Sequence, residues 1–415
     1  VRRARAVVLI AVAAGALALA GCGSKHSDGG RIRGDVLTIY TSVPLHGASS
    51  VSARAVVAGE RLALERIGSR MGRYEIAFRQ LDDSTLQRDA WDPGQTTINA
   101  RLAAKDPTTI GYLGDFNSGA SAVAIPVLNR AGIPQISPTS AAVGLTTSHP
   151  GASPGEPAKY YPTGIRTYAR VVPSDAVQAA VQVKLQRDAD CQKTFVADDG
   201  EVDGEEMATS FQLAARAAGL DVAGIQSFER NATDYTAFAA SVAQTGADCV
   251  LISAITESGA AAVTRALAAA LPSARIFGTS GLAESSFTDP RQGGIPIDLD
   301  SRVLLTAPAP GVSAPPSLSR SFYADYTRSY GDPQPDAIYG YEAMSLLLQA
   351  ISRATHDGHL TARRSQVLGE LFDTHDRRSV LGTYSIDPSG DISIRHYGVY
   401  RIGAGRLEFW KDVDG

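Results

Sequence analysis

The sequence predicts an α/β protein built from two doubly wound, parallel sheets. Short β-branched runs alternate with Ala-rich segments of helical period, the alternation occurs in two similarly built sets, and a stretch rich in Pro, Gly, Ser and His separates them. Strand patterns that alternate with helical ones mark βαβ units, whose crossovers close parallel sheets. At 415 residues the chain is long enough for two domains, each with its own core.

Taken in order, the first set reads as strands at 36–41, 74–79, 109–113 and 134–136, separated by helices near 53–69, 96–104 and 119–131. The second reads as strands at 194–197, 222–228, 249–253, 275–278 and 302–307, alternating with helices near 205–218, 234–245 and 258–270. Between the sets, residues 146–162 have too little apolar period for an element and are expected to form a surface loop. Pro308, Pro310, Pro315 and Pro316 interrupt the pattern next. Helices are then predicted near 318–330, 336–355 and 362–375, followed by a closing strand pair at 382–386 and 395–402.

The N-terminus carries a different signal. Arg2, Arg3 and Arg5 precede an apolar run over 6–20, which ends at Leu19-Ala20-Gly21-Cys22. A basic start, an apolar middle and small residues before the cleavage point are the three parts of a secretory signal, here of the bacterial lipoprotein kind. Crossing the hydrocarbon core takes roughly 20 apolar residues. The run is therefore read as a signal peptide over 1–21 with Cys22 lipidated, the alternative being an uncleaved anchor. Two or more acyl chains give a stable attachment, so the mature chain is expected outside the cytoplasmic membrane, held through a flexible tether at 22–34. Removing residues 1–21 takes three arginines from a chain of net charge −4, leaving −7. Past the signal there is no basic patch, which argues against a nucleic-acid partner.

At Ile110 to Ser140 the pattern becomes specific. The runs Ile110-Gly111-Tyr112-Leu113-Gly114-Asp115-Phe116-Asn117-Ser118-Gly119 and Ala131-Gly132-Ile133-Pro134-Gln135-Ile136-Ser137-Pro138-Thr139-Ser140 resemble the substrate-binding proteins of branched-chain amino acid ABC transporters. Leu81-Asp82-Asp83, Asp234-Tyr235-Thr236, Tyr339-Gly340-Tyr341-Glu342-Ala343 and Gly382-Thr383-Tyr384 are similar to family stretches in the same order, so the likeness spans about 35–405. It implies the type I periplasmic-binding-protein fold, in which three crossovers join two lobes and the ligand lies between them. Crossings are expected near 168–172, 307–311 and 381–385, giving one lobe of 35–169 plus 310–381 and another of 170–309 plus 382–415. Closure of one lobe on the other then presents the ligand to a permease, without chemistry.

Open α/β sheets bind ligands beyond the carboxyl ends of their strands. Two loops of the first lobe stand there. Asn117 and Ser118 follow the strand 109–113, with Ser118 placed to cap a helix starting at Gly119, whose unpaired N–H groups suit a carboxylate. The plain alternative is a capping serine and nothing more. The resemblance implies that Ser118 contacts the ligand carboxylate and that the Thr139 carbonyl takes its amine. It also implies a hydroxyl where Ala141 has none, for which Ser140 is the substitute. In the second lobe, family tyrosines fall on Asp203 and Ile255, and the glutamate that neutralises the amine falls on Ser280. A buried ammonium needs an anion. Asp203 is the first candidate and Glu257 the second, the alternative being that the acidic run Asp198 to Glu206 is a solvated loop at a helix start.

Cys191 and Cys249 are the remaining thiols. An exported chain permits a bridge, and they stand at the starts of strands that neighbour each other in a doubly wound sheet. A disulfide is expected; two buried thiols are the alternative. His356 and His359 lack a third ligand, so neither metal nor cofactor is implied. No nucleophile elbow, P-loop or His-Glu-x-x-His pattern is present, which argues against an enzyme. The reading is a monomeric, membrane-anchored lipoprotein that captures an amino acid or related carboxylate or amide for an ABC permease. A ligand-sensing receptor feeding a signalling partner and a non-binding structural envelope lipoprotein are the rivals.

Overall fold

The computed structural model describes residues 29–309 and 317–415. The signal at 1–21 and Cys22 lie outside these residues.

The first sheet has six strands in the order Arg70–Met71, Tyr74–Asp82, Val36–Val43, Thr109–Leu113, Gln135–Ser137 and Tyr168–Arg170. All pair in parallel except the short Arg70–Met71 edge. The second has seven, in the order Asp221–Ser227, Lys193–Asp198, Cys249–Ser253, Arg275–Gly278, Val303–Ala307, His396–Gly403 and Arg406–Asp414, the last two antiparallel. Leaving out the antiparallel edges, each sheet has its first strand inside its second. The order reverses beside Val36–Val43 in one sheet and beside Lys193–Asp198 in the other, and such reversals open a crevice at the strands' carboxyl ends.

The first core joins this sheet to the helices Ser50–Glu65 and Ala337–Thr355. These two helices approach closely because glycines stand where they cross. A Cβ on Gly59 would lie 2.1 Å from the Ala337 carbonyl oxygen, and one on Gly340 would lie 2.1 Å from that of Val56. The second sheet is covered on both faces, by helices such as Ala260–Ala270 on one side and Val202–Ala218 on the other. Cys191 and Cys249 are joined by a disulfide with Cα atoms 5.8 Å apart, across a sequence separation of 58. Closing so long a loop restricts the unfolded chain and stabilises the second sheet by about 2–4 kcal/mol.

Three expectations need correction. The helix Asp175–Asp188 was not anticipated, because Gln178, Gln182 and Gln186 are buried among Val177, Val181 and Leu185 and blur the apolar period. These amides are satisfied inside the protein, Gln178 and Gln182 donating to Thr306 Oγ1 at 2.8 Å each. The predicted closing pair at 382–386 and 395–402 does not form. Gly382–Tyr384 pairs instead with Arg377–Ser379, while His396–Gly403 inserts between Val303–Ala307 and Arg406–Asp414. Tyr384, Ile386 and Ile392 remain in the first core, so the chain rejoins the second sheet near His396 rather than at 382. The tether expected through residue 34 is shorter, since Ile32 is 2% exposed and its N–H bonds to the Ala362 carbonyl. Residues 146–162 form the expected surface loop, pinned at its end where Tyr160 and Tyr161 are buried and Tyr161 Oη donates to the Leu145 carbonyl at 2.7 Å.

Candidate functional site

The two reversal points face one another across a cleft of about 540 Å3 of empty volume, its open mouth included. From the first sheet come Ser49, after Val36–Val43, and Phe116, Asn117 and Ser118, after Thr109–Leu113. From the second come Asp203, Ile255, Ser280 and Glu284, each after a parallel strand.

Ser118 occupies the first turn of the helix Ser118–Arg130, and Asn117 takes the cap position without a side-chain hydrogen bond. The capping role expected of Ser118 is therefore absent. Its Oγ instead accepts the N–H groups of Ala141 (3.1 Å) and Ala142 (3.2 Å) and donates to Asp203 Oδ1 (2.5 Å) on the facing lobe. With both lone pairs taken, Ser118 offers the cleft a proton and nothing else. The Ala141 loop is held in turn by Arg170, which is fully buried and reaches the Ala142 carbonyl at 2.7 Å, Thr146 Oγ1 at 2.8 Å and the Asp391 carboxylate at 2.7 Å.

Burial raises the Asp203 pKa, and the Ser118 hydroxyl and the Arg170 charge oppose that rise. Asp175 lies behind it, fully buried with no hydrogen-bond partner for either oxygen, and burial reinforced by the Asp203 charge pushes it well above the ordinary range. Of the two, Asp175 is held further above the ordinary carboxyl range. A second contact across the cleft repeats the first: Ser49 Oγ donates to Glu284 Oε2 at 3.1 Å. Burial, with the Asp336 charge next in size, pushes Glu284 up to about 8, and burial pushes Asp336 up to about 7.

Of the residues singled out in the sequence, Asn117, Ser118, Thr139, Asp203 and Ser280 line the cleft. Thr139 Oγ1 is turned to the Phe116 carbonyl at 2.6 Å, and Ser280 Oγ to Gln178 Oε1 at 3.3 Å. Three others do not line it. Gly119 lies under Trp91, whose ring would be 2.5 Å from a Cβ there. Ser140 Oγ is engaged by Ser121 Oγ and the Asp115 carbonyl, so it does not replace the hydroxyl missing at Ala141. Glu257 is buried beyond the lining, pushed up to about 8 by burial and by the charge of Glu284. Glu284 and Asp336 were missed. Glu284 follows Ser280 by four residues and, like Asp336, belongs to none of the stretches the resemblance rests on.

The lining carries Asp203, Glu284 and Asp336 and no Lys, Arg or His among the described residues. Carboxyl pKa values raised in the folded state add stability that is complete below their unfolded values and is lost as pH rises through the folded ones. Glu284, Asp336 and the buried Glu60, itself pushed up to about 8, spread that loss from the unfolded carboxyl values up to about pH 7–8. The ligand-free protein is therefore expected to melt at lower temperature at about pH 8.5 than at about pH 5.5. Equal midpoints would contradict these assignments.

A family model described as periplasmic binding protein matches residues 38–405. No curated protein matches the sequence. Among solved structures, the leucine-binding protein LivK of Thermotoga maritima is 19% identical with a TM-score of 0.77, over 91% of this chain and 99% of that one. The branched-chain amino acid transporter substrate-binding protein LivJ of Streptococcus pneumoniae, in complex with isoleucine, is 16% identical with a TM-score of 0.74, over 92% and 100%. A solute-binding protein of an ABC transporter from R. palustris, in complex with benzoate, is 17% identical with a TM-score of 0.73, over 91% and 96%. With two doubly wound sheets facing across a cleft and a family match over most of its length, the chain belongs to the periplasmic binding protein family.

Proposed function

We propose that the protein captures an α-amino acid between its lobes, outside the cytoplasmic membrane to which Cys22 anchors it by lipid, and delivers it to an ABC permease. The observation that carries this reading is the contact between Ser118 and Asp203. One partner is a pure donor and the other a carboxylate, which is the arrangement a zwitterion replaces bond for bond. The ligand carboxylate takes the Ser118 proton, and its ammonium takes Asp203. Each partner keeps a charge-assisted hydrogen bond, so the lobes can exchange a direct contact for one through the ligand. Leucine and isoleucine, named with two of the similar structures, are such zwitterions. Benzoate, named with a third, offers no cation to a cleft lined by three acidic side chains and, among the described residues, no basic one, so a purely anionic solute is the weaker reading.

A thermal-shift screen of the twenty amino acids, their amides and simple carboxylates tests this. An α-amino acid at 100 times its Kd is expected to stabilise the protein by about 2.7 kcal/mol. Stabilisation by carboxylates alone would contradict the proposal, and stabilisation by none would favour a structural envelope role.

A further inference from the structure

The same cleft carries two further acids, Glu284 and Asp336. Glu284, 3% exposed, is held by Ser49 Oγ at 3.1 Å from the facing lobe and by Ser286 Oγ at 3.2 Å. Asp336 stands on the same wall just before the helix Ala337–Thr355, near enough for its charge to act on Glu284. Neither has an ion-pair partner among the described residues. An independent observation points the same way. Asn117 lines the same cleft at 7% exposure, and its Oδ1 accepts no hydrogen bond.

A buried amide oxygen without a donor is costly, and two buried neighbouring acids hold their protons until a cation beside them stabilises the ionised forms. Acids at Asp203 and at the Glu284 and Asp336 pair, with the unmatched Asn117 acceptor in the same lining, call for a ligand with more than one donor group. We infer that the ligand carries a second cationic group remote from its α-carbon, an ammonium or guanidinium held by Glu284 and Asp336, so that the substrate class is the basic α-amino acids. This rests on the reading of Ser118 and Asp203 as the zwitterion site and adds the specificity for the ligand's side chain. A neutral side chain of equal length would leave Glu284 and Asp336 without a counter-charge in the closed form.

Titration calorimetry with L-lysine, L-ornithine and L-norleucine, whose side chain has similar reach and no charge, tests the inference. Lysine or ornithine is expected to bind about 30-fold or more tighter than norleucine. Glu284→Gln should lower the affinity for the basic amino acid at least about tenfold more than that for norleucine. Asp336→Asn should act in the same direction, and it keeps the test decisive if Glu284→Gln does not fold. Norleucine binding as tightly as both basic amino acids, or either variant lowering all three affinities alike, would overturn the second cation site while leaving the zwitterion reading in place. Failure of all three amino acids to bind would overturn the zwitterion reading itself, and this inference with it.

Discussion

Asp391→Ala is expected to destabilise the protein by about 3–5 kcal/mol, because it strands the buried Arg170 guanidinium without a counter-charge. Burial works against the charged form of Arg170, yet the neighbouring Asp391 carboxylate carries its pKa above the ordinary value. The converse change, Arg170→Met, should cost less, since the Asp391 side chain left behind is 19% exposed and can rehydrate. Thermal or urea unfolding of the two variants checks the order. Losses within about 1 kcal/mol of wild type for both would show the pair to be no more than a surface ion pair in effect. The consequence extends to the cleft. Arg170 holds the Ala142 carbonyl, and the Ala141 and Ala142 N–H groups orient Ser118. Both variants should therefore also weaken binding, although neither residue lines the cleft.

Ser118→Ala is expected to weaken binding of an α-amino acid by about 1.5–3 kcal/mol, the range for a hydrogen bond to a charged group. The variant removes the hydroxyl's proton from the ligand carboxylate and leaves two backbone N–H groups without an acceptor. Calorimetry on the amino acid identified by screening measures the first effect, and melting of the ligand-free variant measures the second. An unchanged affinity would remove Ser118 from the site.

Much of this architecture could be read from the sequence because apolar runs and their periods follow directly from which faces are buried. The strands Thr109–Leu113, Cys249–Ser253 and Arg275–Gly278 stand where their β-branched and aromatic residues predict, and every residue of the first two is buried. Legibility fails where polar side chains do the packing. The helix Asp175–Asp188 turns three glutamines to the core, and hydrogen bonds to Thr306 and Thr194 rather than apolar burial satisfy them. It fails again at the C-terminus, where Arg406–Asp414 is an edge strand with half its residues exposed and no alternation to mark it. In the site, loops after strands pointed to Ser118 and Asp203, since strand ends are fixed by the fold. Glu284 and Asp336 escaped because they belong to no motif. Only the closure of the two lobes brings an acid from each to the same wall.

The zwitterion exchange makes Asp203 the anion that reads the ligand amine, and one titration tests this most directly. The amino acid found by screening and its 2-hydroxy acid analogue, which keeps the carboxylate and loses the ammonium, are each titrated into the wild type and into Asp203→Asn. The account predicts that the wild type prefers the amine by about 30-fold or more, the scale of truncating one member of a buried charge pair, and that Asp203→Asn loses most of that preference. If the wild type binds the two compounds equally, or if Asp203→Asn keeps the full preference for the amine, Asp203 is not the counter-ion and the central claim is wrong.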